Sequence, residues 1–268
     1  MTQLRLDHLA RDLRLAVRSL RRNPLFAVTA TLSLAIGVAA NTVGFGFLYG
    51  YLIRPLPFTD GSRLVSVLTT APSRGQDRWS VTLQEFGDVQ TRTRSFDGVA
   101  AVSLASLDLT GGDEPRRLMA SIVSPSLHRM LGIRPLAGRV FDTSDARGAA
   151  GPVVLLSERL WRTAFGADER IVGRSITLDR QPYTVVGVLP TAQEFVSLAD
   201  LTLPIGPAEL TQPQDRRYRL VAHLAPGTSV EQVNRDLEVL SASLARAYPT
   251  ENAGVRLFAE DLRTDLLN

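Results

Sequence analysis

Neither cysteine nor lysine occurs in this chain, and each absence removes a class of chemistry. Without cysteine there is no disulfide framework and no thiolate metal site. Without lysine there can be no Gly-x-x-x-x-Gly-Lys-[Ser/Thr] phosphate loop, so any ATP hydrolysis linked to this protein must come from another chain. Histidines number only three, His8, His128 and His223, and they share no metal-ligand spacing. Structural or surface roles are expected for all three. No Gly-x-Ser-x-Gly elbow is present, so a hydrolase of that type lacks its main signal. Asp108, Asp113 and Glu114 fall near one turn, and Asp168-Glu169 near another. Paired carboxylates can do acid–base work, but solvation of turns is the expected role here. The reading is therefore of a protein that is not an enzyme, with no catalytic residue, no metal and no cofactor.

All 30 basic residues are Arg, a bias of coding rather than of physics. Their excess is local. Residues 1–22 hold Arg5, Arg11, Arg14, Arg18, Arg21 and Arg22 against Asp7 and Asp12, whereas the rest of the chain has 24 Arg against 25 acids. The high pI is thus no argument for nucleic acid, and no nucleic-acid partner is expected.

That basic flank adjoins the longest run without charge. Asn23 to Ile53 carries no Asp, Glu, Lys or Arg over 31 residues, where about 20 suffice to cross a bilayer core. As a continuous helix it would be about 46 Å long, at about 1.5 Å per residue. Pro24 suits a first helical turn. A basic flank beside one apolar span places the N-terminus in the cytoplasm and everything after Ile53 on the outer side. A cleaved signal peptide is the rival, with Ala39-Ala40 as an available small-residue site, but the apolar part exceeds the ~7–15 residues of a signal core. Within the span, Gly37, Ala40 and Gly44 bring small side chains near one face, and Asn41 is strongly polar. These four residues are the expected packing face for a second membrane helix.

Residues 3–22 read as an amphipathic helix, with Leu6, Leu9, Leu13, Val17 and Leu20 at spacings of three and four. It would lie in the inner-leaflet interface with Arg14, Arg18, Arg21 and Arg22 toward lipid phosphates. The bland alternative is an ordinary charged flank. Beyond the span, a strand is expected over Arg63–Thr70. A capping box at Thr82–Glu85 opens a helix to about Arg94, and strands over Val99–Thr110 and Arg117–Ser124 meet at Gly111-Gly112-Asp113. Ser124-Pro125 should cap a short helix that ends at Gly132. A second block from Ile133 holds a buried-type strand at Val153–Leu156, a helix Glu158–Phe165 capped by Ser157 and stopped by Gly166, and a hairpin of Ser175–Leu178 with Tyr183–Val188. Gly138, Gly166, Gly173 and Gly187 are expected at tight backbone geometry, and Trp161 in a core or subdomain interface. From Asp215 the first pattern returns: a strand at Tyr218–Leu224, a helix with Val230, Val233, Leu237, Leu240 and Leu244 inward, ended by Pro249, and a strand at Val255–Glu260. Asp261–Asn268 reads as a polar tail. The fold class is α+β: one N-terminal membrane helix, then a split α+β domain with an inserted small α+β subdomain. The divisions are 1–22, 23–53, 54–132, 133–214 and 215–268.

Several stretches now resemble one family. Ala35-Ile36-Gly37-Val38-Ala39-Ala40-Asn41-Thr42 is similar to the first membrane helix of MacB-like and FtsX-like ABC permeases, in the duplicated branch often called ADOP. Leu52-Ile53-Arg54-Pro55-Leu56-Pro57-Phe58 resembles that branch's exit segment. The richest likeness is Leu131-Gly132-Ile133-Arg134-Pro135-Leu136-Ala137-Gly138-Arg139-Val140-Phe141, followed by Leu156-Ser157-Glu158-Arg159-Leu160-Trp161, Phe165-Gly166, Ile171-Val172-Gly173 and Val185-Val186-Gly187-Val188-Leu189-Pro190. The resemblance implies a bacterial inner-membrane permease subunit of the mechanotransmission type, with the bulk of the chain periplasmic. Residues 54–132 and 215–268 would be its porter-like part and 133–214 its inserted subdomain. The implied partners are the membrane, a cytoplasmic ABC ATPase, further permease helices from a missing C-terminal part or another chain, and a second copy in a homodimer. The sequence ends where a second membrane helix is expected, which reads as a fragment. The alternative of another class is a single-span, membrane-anchored periplasmic binding or sensor module.

Overall fold

A computed structural model describes residues 24–48, 58, 60–111, 115–148, 151–191 and 199–267. The chain divides into two compact units, residues 1–54 and 55–268. The amphipathic segment 3–22, with Arg14, Arg18, Arg21 and Arg22, lies outside the described residues.

In the first unit, helix α1 runs over Pro24–Leu48, 25 residues, none of them charged. Two of its hydroxyls bond within the helix: Thr29 Oγ1 donates to Leu25 O at 3.0 Å and Thr42 Oγ1 to Val38 O at 2.8 Å. Such back-bonding lets threonine sit in an apolar helix. Leu25, Val28, Leu32, Leu34, Ile36 and Val38 are exposed. Among the described residues no helix is long and apolar enough to cross a membrane. The side chains at 26, 27, 30, 40 and 43–48 are outside that set and interrupt the run.

The second unit is built on one connected sheet of eleven strands. In chain order the elements are β1 Leu64–Ala71, β2 Gln76–Trp79, α2 Leu83–Arg92, β3 Phe96–Thr110, β4 Arg116–Val123, α3 Ser126–Met130, β5 Ala137–Gly138, α4 Thr143–Ala146, β6 Val153–Ser157, α5 Glu158–Phe165, β7 Ser175–Leu178, β8 Gln181–Leu189, β9 Leu201–Pro204, α6 Pro207–Leu210, β10 Arg219–Leu224, α7 Val230–Ala247, α8 Pro249–Asn252, β11 Arg256–Asp261 and α9 Leu262–Leu267. The spatial order is β11-β1-β10-β3-β4-β9-β6-β8-β5. Strands from the two ends of the unit therefore interleave at one end of the sheet, with β1 between β10 and β11. Strands from the middle of the chain gather at the other.

One strand makes both ends. Strand β3 is 15 residues long. Its first half pairs with β10 and its second half with β4 and, at the tip, with β7 through Leu109↔Leu178 and Thr110↔Thr177. Strand β7 pairs with β8, β8 with β6, β6 with β9 and β9 with β4. The chain of pairs β3-β4-β9-β6-β8-β7 thus returns to β3 and closes a barrel. Residues opposite one another in a ladder share a face, and the inward set is apolar: Leu118, Ala120, Val154, Leu156, Ile176, Leu178, Val185, Leu201 and Leu203 form one cluster. A barrel this small is filled by its own side chains.

At the flat end, helices α2 and α7 cover one face. Val89 of α2 and Val233, Leu237, Leu240 and Leu244 of α7 meet Val65, Val67, Leu220, Ala222 and Leu257. The opposite face holds Phe58, Leu64, Ala100, Val102, Leu127, Phe141 and Leu262. Both faces are covered because Ala100 and Ala101, adjacent along β3, point into different clusters. The α2 capping box is present, with Glu85 N–H to Thr82 Oγ1 at 3.0 Å and Thr82 N–H to Glu85 Oε2 at 2.9 Å.

Three expectations need correction. Ser124 does not cap α3; its Oγ accepts the Ala101 N–H at 3.0 Å and so staples β3 to the end of β4. The polar segment after β11 is not left in solvent: α9 buries Leu262 in the core and ties Asp265 to three strands, an amphipathic role that six residues are too few to announce. The hairpin is also tighter than four loop residues. Asp179 and Arg180 alone form the turn, with φ of 46° and 67°, the left-handed pair of a two-residue connection.

Candidate functional site

The barrel is filled below but open at one mouth, where the described residues form a concave cavity of about 390 Å³. Its floor is the last inward layer of three strands: Ala105 and Leu107 of β3, Ile122 of β4 and Leu203 of β9. Tyr183 and Gln181 of β8 and the α6 turn Gly206–Glu209 form its walls. The mouth of a small barrel is a common place for a ligand, and the volume falls in the range of roughly 300–1,000 Å³ usual for such sites.

The rim carries two carboxylates in different states. Asp145 is fully committed. Arg139 grips it bidentately, Nη1 to Oδ2 at 2.6 Å and Nη2 to Oδ1 at 2.9 Å, and its Oδ2 also accepts the Asp142 N–H. That hydrogen bond to Asp145 pushes the Arg139 pKa up. Glu209 is half-buried and accepts only the Gly206 N–H, on Oε2 at 2.9 Å, as the reciprocal part of the α6 cap. No ion pair to Glu209 exists among the described residues. Its charge is nonetheless felt nearby: the Tyr183 phenol is pushed up first by burial, then by Glu209, then by Asp179. Arg217 is occupied with Tyr218, its guanidinium 5.4 Å from the ring centre and its Nε 3.3 Å from the hydroxyl.

The barrel's far edge is fixed by a close backbone crossing. Strand β5 lies on β8 with Ala137↔Val188 and Gly138↔Gly187. At Gly138, φ is +72° and a Cβ would stand 2.2 Å from Val186 O; at Gly187 a Cβ would stand 2.4 Å from Arg139 O. Gly166 stops α5 in the left-handed region and Gly173 is also there, with φ of 61° and 88°. All four glycines singled out in the sequence occupy tight backbone.

The other residues considered from sequence do not converge. His128 is fully buried with its ring edge-on to Phe141, and His223 Nδ1 bonds Asp97 Oδ1 at 2.6 Å on the flat sheet; His8 lies outside the described residues. Asp168 serves a turn, its Oδ1 accepting the Arg170 N–H, while Asp108 contributes its backbone N–H to Asp179 Oδ1. Asp113 and Glu114 are outside the described set. Trp161 packs against the barrel cluster and donates Nε1–H to Asp168 O at 2.9 Å. In the first unit, Gly37 has open space around it and Asn41 is exposed, while the side chains of Ala40 and Gly44 are not described. No metal-binding cluster occurs among the described residues. The barrel mouth was not foreseen: its residues come from five separate stretches, and only the unusual length of β3 hinted that two subdomains share a strand.

A sequence model described as the MacB-like periplasmic core domain matches residues 27–240. The macrolide export ATP-binding/permease protein MacB of Nitrosomonas europaea is 25% identical over 150 residues, covering 54% of this chain and 22% of the relative. The chain thus spans about a fifth of that relative's length. Among solved structures, a domain of a putative permease from Porphyromonas gingivalis aligns with a TM-score of 0.59 at 20% identity, over 76% of this chain and 92% of that one. The periplasmic region of MacB from Actinobacillus actinomycetemcomitans aligns with a TM-score of 0.56 at 14% identity, over 81% and 95%. The extracellular domain of the transporter YknZ from Gram-positive bacteria aligns with a TM-score of 0.55 at 15% identity, over 74% and 99%. At these identities the structural likeness speaks for the fold.

Proposed function

Because the chain belongs to the MacB-like periplasmic core domain family, we propose that it is the N-terminal portion of an ABC permease subunit that couples a separate cytoplasmic ATPase to work on the envelope side. One observation carries this reading: the family match begins at residue 27, inside the uncharged helix, and continues through strands β1 to β10 of the second unit to residue 240. Helix and body are then one working part. Residues 23–53 cross the inner membrane with the Arg-rich flank 1–22 inside. Residues 54–132 and 215–268 form the porter-like part, and 133–214 the inserted subdomain. Gly37, Ala40, Asn41 and Gly44 form the face on which further permease helices or a second copy pack. Arg14, Arg18, Arg21 and Arg22 hold the inner leaflet and touch the ATPase side of the assembly. The body acts by being moved, and the chain makes and breaks no bonds itself.

Two experiments test this. Protease applied from the periplasmic side of intact cells should cut the chain beyond residue 58; protection would sink the topology. Deleting residues 3–22 should impair co-purification with the cognate ATPase while leaving the body folded; unchanged co-purification would remove the role given to the basic flank. A second reading, an anchored binding or sensor module, draws support from the concave barrel mouth. It differs in requiring no ATPase for its activity.

A further inference from the structure

We infer that the barrel mouth is a binding site for a compact amphipathic cation, an aromatic or alicyclic body bearing one protonated amine. The inference concerns the occupant of the mouth and stands apart from the coupling role. Three observations carry it. The site is concave and its floor is apolar, Ala105, Leu107, Ile122 and Leu203, so it gains from burying a flat apolar body. Tyr183 also lines the cavity, and an aromatic ring is a favourable neighbour for a cation. The third observation is the contrast between the two rim carboxylates. Asp145 is neutralised by its own arginine, whereas Glu209 has one oxygen engaged by Gly206 N–H and no cationic partner among the described residues.

An unneutralised carboxylate at the edge of an apolar floor is costly to desolvate and rewards a ligand that brings its own positive charge. An anion would meet the charge of Glu209 with no cation to offset it, and a neutral body would cover the carboxylate without compensation. Charge complementarity therefore selects the ammonium. The cap on α6 does not need Glu209's charge, because any side-chain carbonyl oxygen at that position can accept the Gly206 N–H.

The test uses three fluorescent probes on one framework: 2-(2-naphthyl)ethylamine, 2-(2-naphthyl)ethanol and 2-naphthylacetate. Binding to the purified full chain in lipid nanodiscs is read by anisotropy, with empty nanodiscs subtracted. The amine should bind about tenfold more tightly than the alcohol, the acetate weakest, and the amine's advantage should shrink as salt is raised. Glu209→Gln should lower amine affinity about tenfold and leave the alcohol unchanged. Filling the floor with Ala105→Trp should abolish both. Equal binding of amine and alcohol to the wild-type chain overturns the proposal without any variant. An amine preference that survives in E209Q overturns the role of Glu209, and binding of all three probes unaffected by A105W places them elsewhere. Failure of these tests leaves the membrane topology and ATPase coupling untouched, since those are read by proteolysis and co-purification.

Discussion

The two ends of the sheet differ in how their charges are used. At the flat end, ionic groups tie elements together. Arg216 and Glu85 are nearly fully buried, their side chains 8% and 2% exposed, and form a bidentate pair with Nη2 to Oε1 at 2.6 Å and Nη1 to Oε2 at 2.9 Å. Arg216 also reaches Asn252 Oδ1 at 2.7 Å and Ser80 O at 3.2 Å, and lies 4.7 Å from the centre of the Trp79 ring. One guanidinium thus fastens α2, β2 and α8. Asp265 does the same for α9, accepting Ser66 Oγ–H at 2.5 Å, Arg78 at 2.6 Å and Arg219 at 3.1 Å. At the barrel mouth only Asp145 is tied, and Glu209 is left for solvent or ligand. The lesson is that the flat end ties its elements through buried ion pairs, whereas the barrel mouth keeps one carboxylate, Glu209, without an ion pair among the described residues.

Breaking the tied end should give the largest effects. Arg216→Ala leaves Glu85 buried without its partner, and such a loss costs about 3–5 kcal/mol; denaturant unfolding of the full chain measures it. Gly138→Ala should come next, at about 2–3 kcal/mol, because the new Cβ meets Val186 O and the backbone is left-handed. Its damage should appear in the barrel, so hydrogen exchange should rise in β5 and β8 before it rises in β1 and β10. Asp265→Asn keeps the shape and removes the charge that two arginines share. A loss of about 1–3 kcal/mol is expected, with faster exchange confined to 262–267 and β2. If R216A and G138A loosened the same amides, the two ends would be one cooperative block and the contrast would lose its meaning.

How far the sequence revealed this depends on the range of the interactions. The caps at Thr82, Ser157 and Ser229 are local, and each helix begins where its cap predicts. Spacings of three and four put Val230, Val233, Leu237, Leu240 and Leu244 inward; the last four are buried, and Val230 packs partly buried against the same cluster. The alternation of strand faces was equally readable. Closure of the barrel was not, because its seam rests on two residue pairs, 109 with 178 and 110 with 177, that no local pattern links. The Arg216–Glu85 tie joins residues 131 positions apart, and Glu85 was legible only as a capping residue. The cavity escaped for the same reason: Glu209 looks like any helix-turn glutamate until its missing partner is known.

The smallest effect separates the two ends by pH, and the chain's composition makes it measurable. Burial pushes Tyr183 above the ordinary phenol value of 10.0, with Glu209 and then Asp179 adding to the shift. Tyr218 is likewise pushed up by burial, though Arg217 opposes it. In the unfolded chain these phenols lose their protons near pH 10. The folded chain still holds them there, so it binds more protons and stability falls as pH rises from about 10 toward the folded values. No lysine or cysteine titrates in this window, and arginine stays charged, so the alkaline slope belongs to tyrosine. Tyr183→Phe should therefore lose less stability between pH 9 and 11 than the wild type, and E209Q should make the loss smaller and end it at lower pH by removing the larger carboxylate contribution. Asp265→Asn, acting at the tied end, should leave the slope unchanged. Denaturant midpoints across that range decide it: parallel curves for Y183F and wild type would mean that Tyr183 is not held in a desolvated, carboxylate-facing mouth.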